Sequence, residues 1–143
     1  MKKIVLAIIA VMVPLMLSAG STDFWFRHFS VEDGLSSSAV RAIMQDKYGF
    51  MWLGTDDGLN RYDGTTIKIY RLNPEGVNDY ISFLYDTTDR IWIGTGDGVY
   101  IYDYETESFE PFKLLTTKGD SIKTNVNHIA EDRDGNLWFS TVG

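Results

Sequence analysis

The chain has 143 residues, 20 acidic side chains against 13 basic ones, a net charge of −7 and no cysteine. That length sets one domain as the prior, and the acidic balance lacks the basic footprint that nucleic-acid binding needs. The absence of cysteine excludes disulfides, thiolate zinc sites and cysteine nucleophiles, so the fold relies on packing by its 4 Trp, 8 Tyr and 8 Phe.

Residues 1–20 read as a secretory signal peptide. Lys2 and Lys3 form a short basic head, residues 4–17 are apolar and broken only by Pro14, and Ser18, Ala19 and Gly20 offer small residues for cleavage. The run is short and early for a membrane span, although an uncleaved anchor stays open as the alternative. No cysteine follows it, which argues against a lipoprotein anchor. Cleavage would take the net charge from −7 to −9, a charge that mainly supports solubility.

Residues 24–29, Phe-Trp-Phe-Arg-His-Phe, read as an outer strand with no sheet of its own, followed by an incoming loop to residue 39. Four short segments then follow: 40–45, 50–55, 59–62 and 66–70. The turn at Asp46–Gly49 separates the first two, and Asp57-Gly58 is a strong hairpin signal between the next two. The plan returns at 80–85, 91–95, 99–102 and 109–112, and half of it at 126–131 and 137–141. Between residues 46–63 and 86–103, eight of 18 positions are identical without a gap. A third copy begins at Asp132 and stops five residues past Trp138.

A repeat of about 40–50 residues rich in short strands signals a propeller or solenoid. Asp-Gly hairpin turns at these spacings favour the propeller, whose blade is four antiparallel strands. The expected fold is therefore all-β, about two and a half blades of an incomplete propeller preceded by a signal peptide. The divisions are 1–20 signal peptide, 24–39 closing outer strand and incoming loop, 40–79 and 80–125 blades, and 126–143 half a blade. Residues 24–29 would then be half of a closure whose partner lies beyond residue 143.

Each recurring residue has a structural reason. Trp52, Trp92 and Trp138 sit in second strands, where a large ring can wedge between blades. Gly54 and Gly94 leave room for a neighbouring backbone or ring, and Gly58 and Gly98 permit the positive φ of a hairpin. Asp46, Asp86 and Asp132 can hydrogen-bond their own turn backbone.

These residues resemble the two-component regulator propeller repeat. The resemblance is carried by Gly34-Leu-Ser-Ser-Ser-Ala-Val40 through Asp46, then Gly49-Phe-Met-Trp52-Leu-Gly54-Thr55 and Gly58-Leu-Asn-Arg-Tyr62-Asp63-Gly64, and extends over residues 24–143. The second copy departs from the pattern with Asp89 where the others have Gly49 and Gly135. The resemblance implies a periplasmic sensor region of a hybrid two-component histidine kinase of Bacteroidetes type. It implies a parent that is a membrane-anchored homodimer, with further propeller blades as this chain's partners. Many members of the family sense breakdown products of complex glycans, so the expected ligand is an oligosaccharide or another small molecule, recognised in the periplasm.

No catalytic set emerges. Asp132-Arg-Asp134-Gly135-Asn136 lacks the further spaced ligands and the bidentate Glu of a calcium loop, so a hairpin turn is its default. The Asp-x-x-Gly-x-x-Trp turn resembles the sialidase Asp-box with one residue more between Asp and ring, and no motif groups the arginines that such chemistry needs. His28 and His128 lie 100 residues apart without a carboxylate motif. The expectation is no enzyme activity in this chain, no metal and no cofactor.

Binding is better motivated. In a propeller the first strand of each blade lines the central channel, the loop before it lies on one rim, and concave rims take ligands. The candidate rim residues are Ser37, Ser38, Arg41, Asn78, Asp79, Asn125, Asn127 and His128, the last placed by sequence at the position of Ala42 and Ser82. A structural or protein-interaction role without signalling is the second reading.

Overall fold

The computed structural model describes residues 24–72, 80–115, 117–119 and 121–142. The expected signal peptide and the candidates Asn78 and Asp79 lie outside them. After a 3₁₀ turn at Val31–Asp33, β1 (Val40–Gln45), β2 (Met51–Thr55), β3 (Gly58–Tyr62) and β4 (Ile67–Tyr70) form one sheet in that order. A second sheet repeats it with β5 (Ile81–Asp86), β6 (Arg90–Thr95), β7 (Gly98–Asp103) and β8 (Ser108–Phe112). A small hairpin of β9 (Leu114–Leu115) and β10 (Ser121–Ile122) follows, and β11 (Val126–Glu131) pairs with β12 (Leu137–Thr141). All ladders are antiparallel. Each expected strand between residues 40 and 141 is present with its ends within one residue; the β9–β10 hairpin was not anticipated, because a two-residue ladder has no periodicity to read.

Residues 24–29 pair with no described strand, and Trp25 and Phe26 are 93% and 94% exposed; the ladder partner expected for this outer strand lies beyond residue 143.

One expectation is corrected, the repeat register. Val40 pairs with Thr55 and Val126 with Thr141, so the first and third units coincide at an offset of 86. In the second unit Ile81 pairs with Thr95, an offset of 41 in the first strand and 40 in the second. The turn between β5 and β6 is thus one residue shorter. Thr87, not Asp86, occupies the place of Asp46 and Asp132, and Phe83, not Ser82, corresponds to Ala42 and His128. The cause lies in the turn itself. Gly49 and Gly135 take φ of 90° and 82°, a region that an L-residue enters at a cost. With Asp89 in the second unit, the chain closes a tighter loop through Thr87 N–H donating to Arg90 O at 2.9 Å.

The turn chemistry follows the register. Asp46 is 6% exposed and accepts from Tyr48 N–H (2.9 Å), Phe50 N–H (3.0 Å) and the Trp52 indole N–H (2.7 Å). Asp132 repeats this with Asp134 N–H, Asn136 N–H and the Trp138 indole, at 2.9, 2.9 and 2.8 Å. In the second unit Asp86 instead accepts from Tyr104 Oη–H at 3.0 Å, and the buried Trp92 Nε1 has no acceptor.

The units stack through their first strands, β5 lying between β1 and β11. Trp52 is fully buried between units one and two, 5.8 Å from Tyr70 and 5.0 Å from Tyr102 between ring centres. With Leu59, Ile81, Ile91 and Ile93 it forms the larger core, where each fully buried side chain contributes about 1.5–3 kcal/mol. A second core of Val99, Val126 and Ile129, flanked by Trp92 and Phe139, joins units two and three. Trp138, at the equivalent place on the third unit's far face, is 65% exposed. Glycine permits the close stacking: a Cβ on Gly54 would lie 2.6 Å from Ile81 Cγ2, and one on Gly94 would lie 3.0 Å from Val126 O. Among the described residues no helix is long and apolar enough to cross a membrane.

Candidate functional site: the inner-strand rim

In an antiparallel meander the start of the first strand and the turn between the second and third share one end of the sheet. One bond repeats there in all three units. Asp56 N–H donates to Ala39 O, Gly96 N–H to Tyr80 O and Val142 N–H to Asn125 O, at 3.2, 3.2 and 3.1 Å. Ala39, Tyr80 and Asn125 are therefore equivalent positions, each leading into an inner strand.

The turn behind this rim is rigid. Thr55 Oγ1–H donates to Gly58 O at 2.9 Å and accepts from Asp57 N–H at 3.1 Å. Thr95, Gly98 and Asp97 repeat both bonds. Gly58 and Gly98 hold φ of 115° and 147°, as the hairpin requires. The incoming loop of unit one is fixed by fully buried Asn60, which accepts from Ser36 N–H at 2.9 Å and donates to Leu53 O at 3.1 Å.

On this base, Arg41 donates through Nε and Nη2 to the two carboxylate oxygens of Asp56 at 2.8 and 3.0 Å. The bidentate bond from Arg41 holds the Asp56 carboxyl below its ordinary value, and the carboxylate raises that of the guanidinium. Both side chains are well exposed, so the pair positions more than it stabilises. The guanidinium also lies 5.6 Å from the centre of the Tyr80 ring. Arg41, Asp56, Tyr80, Gly96 and Asn125 line a cleft of about 480 Å³. Asn125 Oδ1 is buried there and accepts no hydrogen bond.

The candidates thus separate. Arg41 and Asn125 come together, although they lie in different units. Ser37 is used locally, accepting from Ala39 N–H at 3.2 Å, and Ser38 is exposed. Asn127 and His128 are exposed on β11, the His128 ring 4.3 Å from that of Phe83. Sequence reasoning missed Asp56 and Tyr80. Asp56 stood beside the Asp57-Gly58 signal and was absorbed into it, and Tyr80 was counted as the first residue of a strand. The β1–β2 pairing within unit one places Asp56 beside Arg41, and only the stacking of units brings Tyr80 there.

The sequence pattern of the two component regulator propeller family matches residues 34–57 and 121–143. Those two stretches are similar to two-component regulator propeller repeats. The two matched stretches are the copies that share a register, and the shorter-turned second unit lies between them. Among curated proteins, Histidine kinase P4 of Formosa agariphila is 56% identical over 59 residues, which are 41% of this chain and 4% of that protein. Among solved structures, the extracellular domain of the hybrid two component system BT3049 of B. thetaiotaomicron aligns with a TM-score of 0.67 and 31% identity. That alignment covers 79% of this chain and 17% of that domain. The extracellular domain of BT4673 from the same organism aligns with a TM-score of 0.66 and 22% identity over 85% of this chain and 18% of its own length, a likeness of fold. The chain therefore spans a small part of the length of each of these relatives.

Proposed function

We propose that the chain is part of the extracytoplasmic sensor region of a hybrid two-component histidine kinase, and that the rim cleft recognises an oligosaccharide. One observation carries the reading: Arg41, Tyr80 and Asn125, from three successive repeats, converge on one cleft that holds a buried, unpartnered carbonyl oxygen. The chemistry suits a sugar. Hydroxyls can donate to Asn125 Oδ1 and the Asp56 carboxylate and accept from Arg41, while the apolar face of a ring can lie on Tyr80. A buried acceptor left unpaired is costly, so a ligand hydroxyl that reaches it contributes both affinity and orientation. The likeness to extracellular domains of two-component systems supports the place of the cleft in a sensor. Because the cleft joins strands of three units, a ligand there would favour one arrangement of the stack over another, and that difference in affinity is what shifts a sensor's populations. The parent would be a membrane-anchored homodimer.

Calorimetry of the full chain against short neutral oligosaccharides tests this. Saturable heat is expected with at least one of them, weakened roughly tenfold or more by Arg41→Ala or Tyr80→Ala. No heat with any saccharide, or heat indifferent to both substitutions, overturns it.

A further inference from the structure

The opposite end of the sheets holds a second feature, independent of the rim cleft. The β1–β2 turn of unit one and the β7–β8 turn of unit two border a groove of about 380 Å³ whose lining includes Arg61, Phe50, Tyr102, Tyr104, Tyr48 and Glu107. Arg61 sits on β3 opposite Trp52, and Ile101 holds the same place opposite Trp92. The repeat therefore fills this position with an apolar side chain as readily as with a charged one, and its scaffold does not call for arginine.

The guanidinium is held from below by rings. It lies 4.7 Å from the centre of Phe50, 5.7 Å from Trp52 and 5.9 Å from Tyr70. Of its five N–H donors, one makes a 3.3 Å hydrogen bond to Tyr102 Oη, and no described carboxylate forms an ion pair with it. Asp46, also on the groove wall, is already committed to its turn and to Trp52. A half-buried arginine stacked on aromatics with most of its fork unused is arranged for a planar, two-oxygen acceptor. Next to it the Tyr48 ring is 64% exposed, meets Tyr104 edge-on at 5.2 Å and has the Lys47 ammonium 5.2 Å from its centre, giving an exposed aromatic ring beside two cations.

We infer that this groove is a second binding site, taking a ring-shaped ligand that bears a carboxylate, such as an acidic saccharide residue, with Arg61 as the carboxylate anchor and Tyr48 as the stacking face. Glu107 stands at the groove as the opposing charge. It is the non-glycine residue with positive φ, 51°, among those described, and its carboxylate weakens any anion that reaches Arg61.

The test titrates the full chain with galacturonate and with galactose, which share the ring and differ in the carboxylate, following intrinsic tyrosine and tryptophan emission. Galacturonate should bind at least about tenfold more tightly than galactose, Arg61→Gln should remove that preference, and Arg41→Gln should leave it. Glu107→Gln, which leaves the aromatic packing in place, should tighten galacturonate by about two- to threefold and leave galactose unchanged. Equal binding of the two sugars, a preference that survives Arg61→Gln, or a Glu107→Gln variant that binds galacturonate no better would each overturn the inference.

Discussion

At the scale of single residues, Asp46 does three things with one carboxylate. It closes its turn, orders the chain into β2 and satisfies the indole N–H of a fully buried Trp52. In Asp46→Asn one side-chain oxygen becomes an NH₂ group, which would face another donor. The expected loss is about 2 kcal/mol in urea denaturation, the cost of a buried donor left unpaired; an unchanged midpoint would refute the role. Asp132 makes the same set of bonds in the open. The Trp138 indole foremost, then Asn136, hold its carboxyl down to about 2 from an ordinary 3.8. A depressed folded value means that its contribution is complete above the ordinary value and is lost as pH falls through about 2. An acid titration of Asp132→Asn should therefore lose a component of the Trp138 emission change that the parent chain shows in that window. The aspartates were legible as turn residues; their bonds to the indoles were not, because contact across six residues depends on the loop that folds between them.

At the scale of elements, the strands were legible nearly to the residue, since alternation and Asp-Gly punctuation are local. The register of the second unit was not. Sequence alignment without a gap placed Asp86 over Asp46, whereas the shorter turn puts Thr87 there and leaves Trp92 Nε1 without an acceptor. Replacing Thr87-Thr88-Asp89 by Asp-Lys-Tyr-Gly, the four-residue turn of unit one, should restore both the glycine and the indole acceptor. We expect a gain of about 1 kcal/mol, read as a raised denaturation midpoint. A midpoint that stays or falls would mean that the orphan indole is tolerated or that Tyr104 needs Asp86 where it is. The one visible hint was Asp89, which cannot take a glycine's φ at no cost.

At the scale of the whole molecule, the stack depends on two glycines and a run of rings. Gly54→Ala would drive a methyl group to 2.6 Å from Ile81 Cγ2 and 2.9 Å from its Cβ, atoms of a fully buried side chain with little room to move. The expected cost is about 2 kcal/mol, measured by thermal or urea denaturation; a loss near zero would mean that the units slide freely. Sequence reasoning anticipated room for a neighbour at Gly54 without saying which atom fills it, and it named Arg41 and Asn125 without bringing them together. Both gaps have one cause: packing between repeats joins residues distant in the chain, 27 positions for Gly54 and Ile81 and 84 for Arg41 and Asn125, and periodicity within a repeat carries no information on it. The unequal turns also bear on the order of folding. The Asp46 and Asp132 clamps each close a loop of six residues, a short closure with small entropic cost, so those hairpins can form before any neighbour arrives. The middle unit lacks that nucleus: its tryptophan meets Phe112 at the far end of its own sheet and Phe139 from the unit after it. Its assembly waits on contacts distant in sequence, the slow class, and the units on either side act as its templates.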